Sequence, residues 1–168
     1  MVVEKYNPKW AEQFLFIKDY LTKNITEYIS IEHVGSTSIP GMNAKPIIDI
    51  DIVVEDTDQF LRLKDELAKI GYVHEGDHGI SGREVFDNEN VPIDIDHHLY
   101  VCTKDNAELL RHIKFRDRLR SNQELVDEYN KIKEEILSKV GKDNRAGYVE
   151  MKEKDYKYFF EKVLQGEN

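Results

Sequence analysis

The sequence predicts an α/β (α+β) fold with a helical C-terminal third, and three observations carry that reading. Apolar residues recur at helical spacing near the N-terminus, β-branched runs fill the middle, and helical spacing returns from Asp105 to the end. At 168 residues the chain suits one well-filled core, so a single domain over 1–168 is expected. Apolar residues at 40% and charged residues at 34% describe a chain that buries enough surface to offset its conformational entropy.

Asn7-Pro8 joins a capping side chain to a proline at the first helical position, and Trp10, Phe14, Ile17 and Leu21 then mark an amphipathic helix. Ile31 to Gly35 reads as a short strand, and the Ser-Thr-Ser-Ile-Pro-Gly that follows is turn chemistry. Pro46 to Val54 is aliphatic apart from Asp49 and Asp51, which suits a central strand. Phe60, Leu63, Leu67 and Ile70 mark a second helix, and Gly71 can take the left-handed position that closes it. Arg83 to Val101 reads as a hairpin. Its second strand begins at Ile93, with Asp94, Asp96, His98 and Tyr100 on the polar face. Beyond Asp105 the spacing gives about three helices, with breaks near Ser121-Asn122 and between Gly141 and Gly147.

A net charge of −9 argues against extended nucleic-acid binding, which needs many cations to displace counterions. Cys102 is the only cysteine, so no intrachain disulfide forms and nothing demands an oxidising compartment. The N-terminus has no apolar signal stretch, and the most apolar run, Ile47 to Val54, is too short to span a bilayer. A cytoplasmic protein without membrane insertion is expected, of unassigned oligomeric state.

Alternate strand residues share a face, so Asp49 and Asp51 project together with roughly 7 Å between their α-carbons. Two carboxylates on an apolar strand repel each other and lose hydration, so they call for cations, donors or open solvent. Magnesium, which prefers oxygen ligands and keeps several waters, meets that need. So does exposure at a strand end, or pairing with Lys45 or an arginine. Upstream, Gly35 leaves backbone N–H groups and the Ser36 and Ser38 hydroxyls clear to approach phosphate oxygens, unless this is an ordinary serine-rich turn.

Other side chains carry paired readings. His33 donates to phosphate or braces the loop; Lys45 neutralises phosphate or pairs with Asp49 or Asp51. Arg116 and Arg120, four apart on one helix face, grip phosphate or form a solvated face tied to Asp117. Lys152 has the same two readings. His97 and His98 face opposite ways in a strand, while His74 and His78 sit in a glycine-containing loop with no cysteine partner, so zinc is not expected. Cys102 reads as a small core residue.

An apolar residue, Gly-Ser, twelve intervening residues and Asp-apolar-Asp-apolar together resemble the nucleotidyltransferase superfamily, in which a third carboxylate often lies on a later strand. Here Asp94 or Asp96 is the candidate, Asp94 being preferred. A closer resemblance, to the GrpB family, covers nearly the whole chain. It rests on Tyr6-Asn-Pro-Lys-Trp10, Glu32 to Ile50, Phe115 to Arg120 and Tyr148 to Lys152. The resemblance implies a nucleotidyltransferase-like mixed β-sheet flanked by helices. A related domain fused to dephospho-coenzyme A kinase points toward nucleotide or cofactor metabolism. Two departures stand out: the family often has an aliphatic residue at Asp51 and a histidine at Tyr100. The carboxylate pair is therefore more complete than is usual in the family, and a paired-histidine strand less so.

The expected function is Mg2+-dependent nucleotidyl or phosphoryl transfer from a nucleoside triphosphate to a small-molecule acceptor. Gly35, Ser36 and Ser38 would hold the triphosphate, Lys45, Arg116 and Arg120 would offset its charge, and Asp49, Asp51 and Asp94 (or Asp96) would be the catalytic, metal-binding carboxylates. The alternative is a non-catalytic nucleotide or cofactor sensor on the same fold. An interaction protein whose acidic strands are structural is the third reading.

Overall fold

Pro8 is already helical (φ −57°, ψ −20°) ahead of α1 (Lys9–Asn24), and Asn7 Oδ1 accepts the Lys9 N–H at 3.0 Å, so the Asn-Pro start is realised. Trp10, Phe14, Ile17 and Leu21 form its buried stripe. The computed structural model describes residues 3–166.

Among the described residues five strands follow: β1 (Ser30–Val34), β2 (Ile48–Val54), β3 (Val73–Gly76), β4 (Arg83–Asp87) and β5 (His97–Thr103). They form one mixed sheet in the order β1-β2-β5-β4-β3, with β2 and β5 parallel and every other neighbouring pair antiparallel. A parallel pair needs a crossover, supplied here by α2 (Thr57–Lys69) together with β3 and β4. Asp56 caps α2 by accepting the Gln59 N–H at 2.9 Å, and Gly71 ends the segment at φ +102°.

Alternation along β2 sorts its side chains. Ile48, Ile50, Ile52 and Val54 join Trp10, Ile17, Leu21, Leu63 and Leu67 in the main core. On the opposite face Val53 packs with Cys102 and with Leu109 of α3 (Ala107–Arg120). That face is thus covered at the C-terminal end of β2 and open at its start. The remaining helices are α4 (Gln123–Val140), α5 (Arg145–Asp155) and α6 (Lys157–Gln165). They build a second core from Val126, Tyr129, Ile136, Phe159 and Val163, into which Ile39 and Met42 insert from the β1–β2 connection.

Three sequence expectations are corrected. Strand β5 begins at His97, so Ile93 to Asp96 lie in a bent loop. Pro92 lacks an N–H, and tight turns donate Val91 N–H to Asn88 O at 3.1 Å and Ile93 N–H to Val91 O at 2.8 Å. Ile93 and Ile95 pack against the core from the loop. His74 lies in β3, not in a loop; Val73-His74-Glu75-Gly76 carries no apolar alternation that would reveal a strand. Among the described residues the C-terminal third has four helices because Tyr156 (φ −118°, ψ 16°) interrupts the last one, its hydroxyl donating to Glu135 Oε2 at 2.8 Å. Among the described residues no helix is long and apolar enough to cross a membrane.

Gly71 meets two constraints together, a left-handed backbone and the carbonyl of Asn90, with which any Cβ would collide. Gly71→Ala should lower unfolding free energy by about 1–3 kcal/mol, measured by urea denaturation.

Candidate functional site

Strand β1 runs into Gly35 (φ 75°, ψ −178°), and Ser36–Ser38 make one turn of 3₁₀ helix. A Cβ at position 35 would collide with Asp49 Oδ2, so glycine lets the turn lie directly against that carboxylate. Thr37 Oγ1 donates to Ile47 O at 3.1 Å and must therefore accept from His33 Nε2 at 3.0 Å, which fixes the imidazole tautomer. The ring stacks on Phe14 at 4.7 Å. Burial, then the Arg120 and Arg116 charges, push His33 down to about 4. His33 is thus a neutral brace for the loop.

Of the three residues expected at phosphate, Ser38 and Arg120 hold the turn and Arg116 braces the strand that leads into it. Ser38 Oγ donates to Gly35 O, and Arg120 Nε donates to Ser38 O at 2.9 Å. Arg116 is buried, donating to Glu32 Oε1 at 2.9 Å, His33 O at 3.1 Å and Asp117 Oδ1 at 3.0 Å. Arg120 thus grips the turn and Arg116 the strand leading into it; Arg116 also shares a recess with Gly35, Ser36 and Asp49.

The register places Asp49 beside His98 and Asp51 beside Tyr100. His98 Nδ1 donates to Asp49 Oδ1 at 3.0 Å, and His112 Nδ1, from α3, donates to Asp51 Oδ2 at 3.1 Å. Asp49 is part-exposed, whereas Asp51 is fully buried and its Oδ1 has no hydrogen-bond partner among the described residues. An orphaned anionic oxygen in that position suits a cation. No group of three or more His, Cys, Asp or Glu among the described residues is arranged around a metal. Magnesium commonly takes only one or two carboxylates plus substrate oxygens, so the oxygen donors of Asp49 and Asp51 suit it in kind, with Asp49 the one that lines the recesses.

Asp94 and Asp96 do not join this pair. Both are exposed in the loop ahead of β5, where they line a separate recess with Glu4, Asn7 and Trp10. The start of β5 three residues later than Asp94 gives the strand positions beside Asp49 and Asp51 to His98 and Tyr100.

The helices contribute what sequence reasoning missed. Lys133 is 4% exposed; its Nζ donates to Ser36 Oγ at 2.9 Å and to Asn43 O, and lies 4.4 Å from the Tyr129 ring centroid. Burial, reinforced by the Lys152 charge, pushes its ammonium down to about 7. Burial likewise lowers Lys152. The signal for Lys133 is its place in the stripe Val126, Tyr129, Lys133, Ile136, where helical spacing calls for an apolar residue. Lys45 is exposed and, among the described residues, forms no ion pair with Asp49 or Asp51.

Two recesses meet at Ser36, Asp49, Tyr129 and Lys152. The smaller, of about 250 Å³, gathers Lys45, Lys133, Lys152 and Arg145, four basic side chains on a chain of net charge −9. The larger, of about 750 Å³, runs between α3 and α6.

Residues 1–165 match the family described as GrpB protein. The Glutamate-rich protein GrpB of Alkalihalophilus pseudofirmus is 32% identical over 152 residues, covering 87% of this chain and 86% of that one. The UPF0157 protein YqkA of Bacillus subtilis is 36% identical over 137 residues, 79% of this chain; the match spans only 38% of YqkA. The crystal structure of conserved protein GrpB from Enterococcus faecalis superimposes with a TM-score of 0.78 at 33% identity, covering 98% of both chains. The structure of Cid1 in complex with its short product ApU matches at a TM-score of 0.52 and 14% identity over 76% of this chain and 39% of that one. That likeness makes the fold nucleotidyltransferase-like.

The His33 brace has a pH signature. Its folded pKa of about 4 lies below the ordinary value of 6.5, so its stabilisation is complete above 6.5 and is lost as pH falls toward 4. His33→Gln, which keeps a donor for Thr37, should flatten the stability–pH slope in that window by about 1–3 kcal/mol in urea titrations.

Proposed function

The chain belongs to the GrpB family, and we propose that it is a magnesium-dependent nucleotidyl- or phosphoryl-transferase acting on a nucleoside triphosphate and a small-molecule acceptor. One observation carries the reading: the Gly35-Ser36 turn lies against Asp49 and beside a recess lined by Lys45, Lys133, Lys152 and Arg145. Such a recess suits a polyphosphate, whose charge four cations offset. Lys133 and Ser36 position its oxygens, and Gly35 allows close approach without a side chain. Asp49 and Asp51 would hold magnesium, whose chemistry is to neutralise phosphate charge and steady the attacking and leaving oxygens. The acceptor hydroxyl oxygen bonds to phosphorus in line, the bond to the leaving phosphate oxygen breaks with its electron pair, and the hydroxyl proton passes to water.

A nucleotide or cofactor sensor is the second reading, favoured by His98 and Tyr100 standing where a third carboxylate would complete the pair. Both readings belong to a cytoplasmic protein of one domain.

Labelled triphosphates offered to wild type and to the Asp49→Asn, Asp51→Asn double variant separate these cases. Transferase activity predicts product from wild type and a loss of at least roughly 100-fold in the variant. Equal turnover would remove the carboxylates from the mechanism. Saturable binding without product supports the sensor, and no binding at all defeats both.

Lys133 supplies an independent check. An anion beside its ammonium favours protonation, so triphosphate binding takes up a proton, and affinity falls as pH rises above about 7. Calorimetry from pH 7 to 9 should show that decline in wild type and a flatter profile in Lys133→Met.

A further inference from the structure

The larger recess begins at Gly35, Ser36 and Asp49 and extends away from the lysine cluster between α3 and α6. Its chemistry differs from that of the smaller recess. Ile39, Phe115, Tyr129, Phe160 and Leu164 form an apolar, largely aromatic wall, and Phe115 and Phe160 stack with centroids 5.6 Å apart. Arg111, Lys157, Glu153 and Glu161 stand around it, offering donors and acceptors of both charge signs. At about 750 Å³ the space matches one small-molecule ligand.

A nucleoside triphosphate is itself divided in this way, with a polyanionic tail at one end, a planar ring at the other and a phosphorus between them. We propose that the larger recess is the subsite for the nucleobase of the bound nucleotide, docked against Phe115, Phe160 and Leu164. The polyphosphate lies in the lysine-lined recess, and the α-phosphate lies where the two meet, at Ser36 and Asp49. Aromatic side chains favour planar rings of any base, and the mixed charges of the rim supply partners for a base edge. This inference rests on the nucleotide-binding reading, shared by transferase and sensor, and adds which end of the nucleotide each recess takes.

Titration calorimetry with ATP, UTP and inorganic tripolyphosphate, each with magnesium, tests it on the full chain. Wild type should bind the nucleotides more tightly than tripolyphosphate. Leu164→Trp fills the recess from a half-buried position on α6 without removing packing, and Phe160→Ala strips part of the wall. Each should weaken nucleotide binding roughly tenfold to hundredfold and leave tripolyphosphate binding unchanged. Melting curves show whether Phe160→Ala remains folded; Leu164→Trp decides the matter if it does not. Equal nucleotide affinity in wild type and Leu164→Trp overturns the subsite. So does tripolyphosphate binding as tightly as nucleotide to wild type, an outcome that spares the polyphosphate site. Failure of wild type to bind any of the three overturns the nucleotide-binding reading and this inference with it.

Discussion

A buried ammonium joins the two layers of the molecule. Lys133 projects from α4 into the connection between β1 and β2, donating to Ser36 Oγ and Asn43 O. Taking that charge out of water is costly, and the two hydrogen bonds with the nearby Tyr129 ring offset part of the cost. The same connection receives Asn130, whose amide donates to Gly41 O at 3.0 Å and whose oxygen accepts the Asn43 N–H at 2.9 Å. The turn and the connection beyond it are therefore held by side chains of α4 and by Arg120 of α3, while Arg116 of α3 holds the end of β1. The position of the turn against Asp49 follows from that grip.

The two cores arise from this arrangement. One lies between the sheet and α1 and α2, the other among α3 to α6, and Ile39 and Met42 carry the β1–β2 connection into the second. The cleft opens where the helical layer leaves the start of β2 uncovered. Asp49 consequently meets solvent, while Asp51, two residues further under α3, does not. One strand thus presents two carboxylates in different environments, each met by a histidine from a different element.

Much of this was legible in local patterns. The Asn-Pro start, the apolar stripe of α1, the Asp-Ile-Asp alternation of β2 and the Gly-Ser turn each depend on neighbours within a few residues. What escaped depends on partners far along the chain. The pairing of His98 with Asp49 is a matter of register across 49 residues, and that of His112 with Asp51 spans 61. Asp94 and Asp96 satisfied the alternation rule, yet Pro92 and the tight turns around it kept them out of the strand. Arg116 and Arg120 do share a helix face, but spacing does not reveal that the backbone of β1 and of the turn after it lies opposite them. Lys133 was visible as a polar residue in an apolar stripe, an anomaly easily mistaken for a rim residue.

The bare oxygen of Asp51 bears on how the folded chain behaves in the cell. An unpartnered buried carboxylate oxygen is a local free-energy excess that an unfolded chain, solvated by water, does not carry. Any cation or donor that reaches it binds the native state and not the unfolded one, so occupancy and folding stability are thermodynamically linked. Loss of such a ligand enlarges the unfolded fraction open to proteases. A ligand that reached this one atom would couple its own supply to the lifetime of the protein, whether or not it were ever turned over.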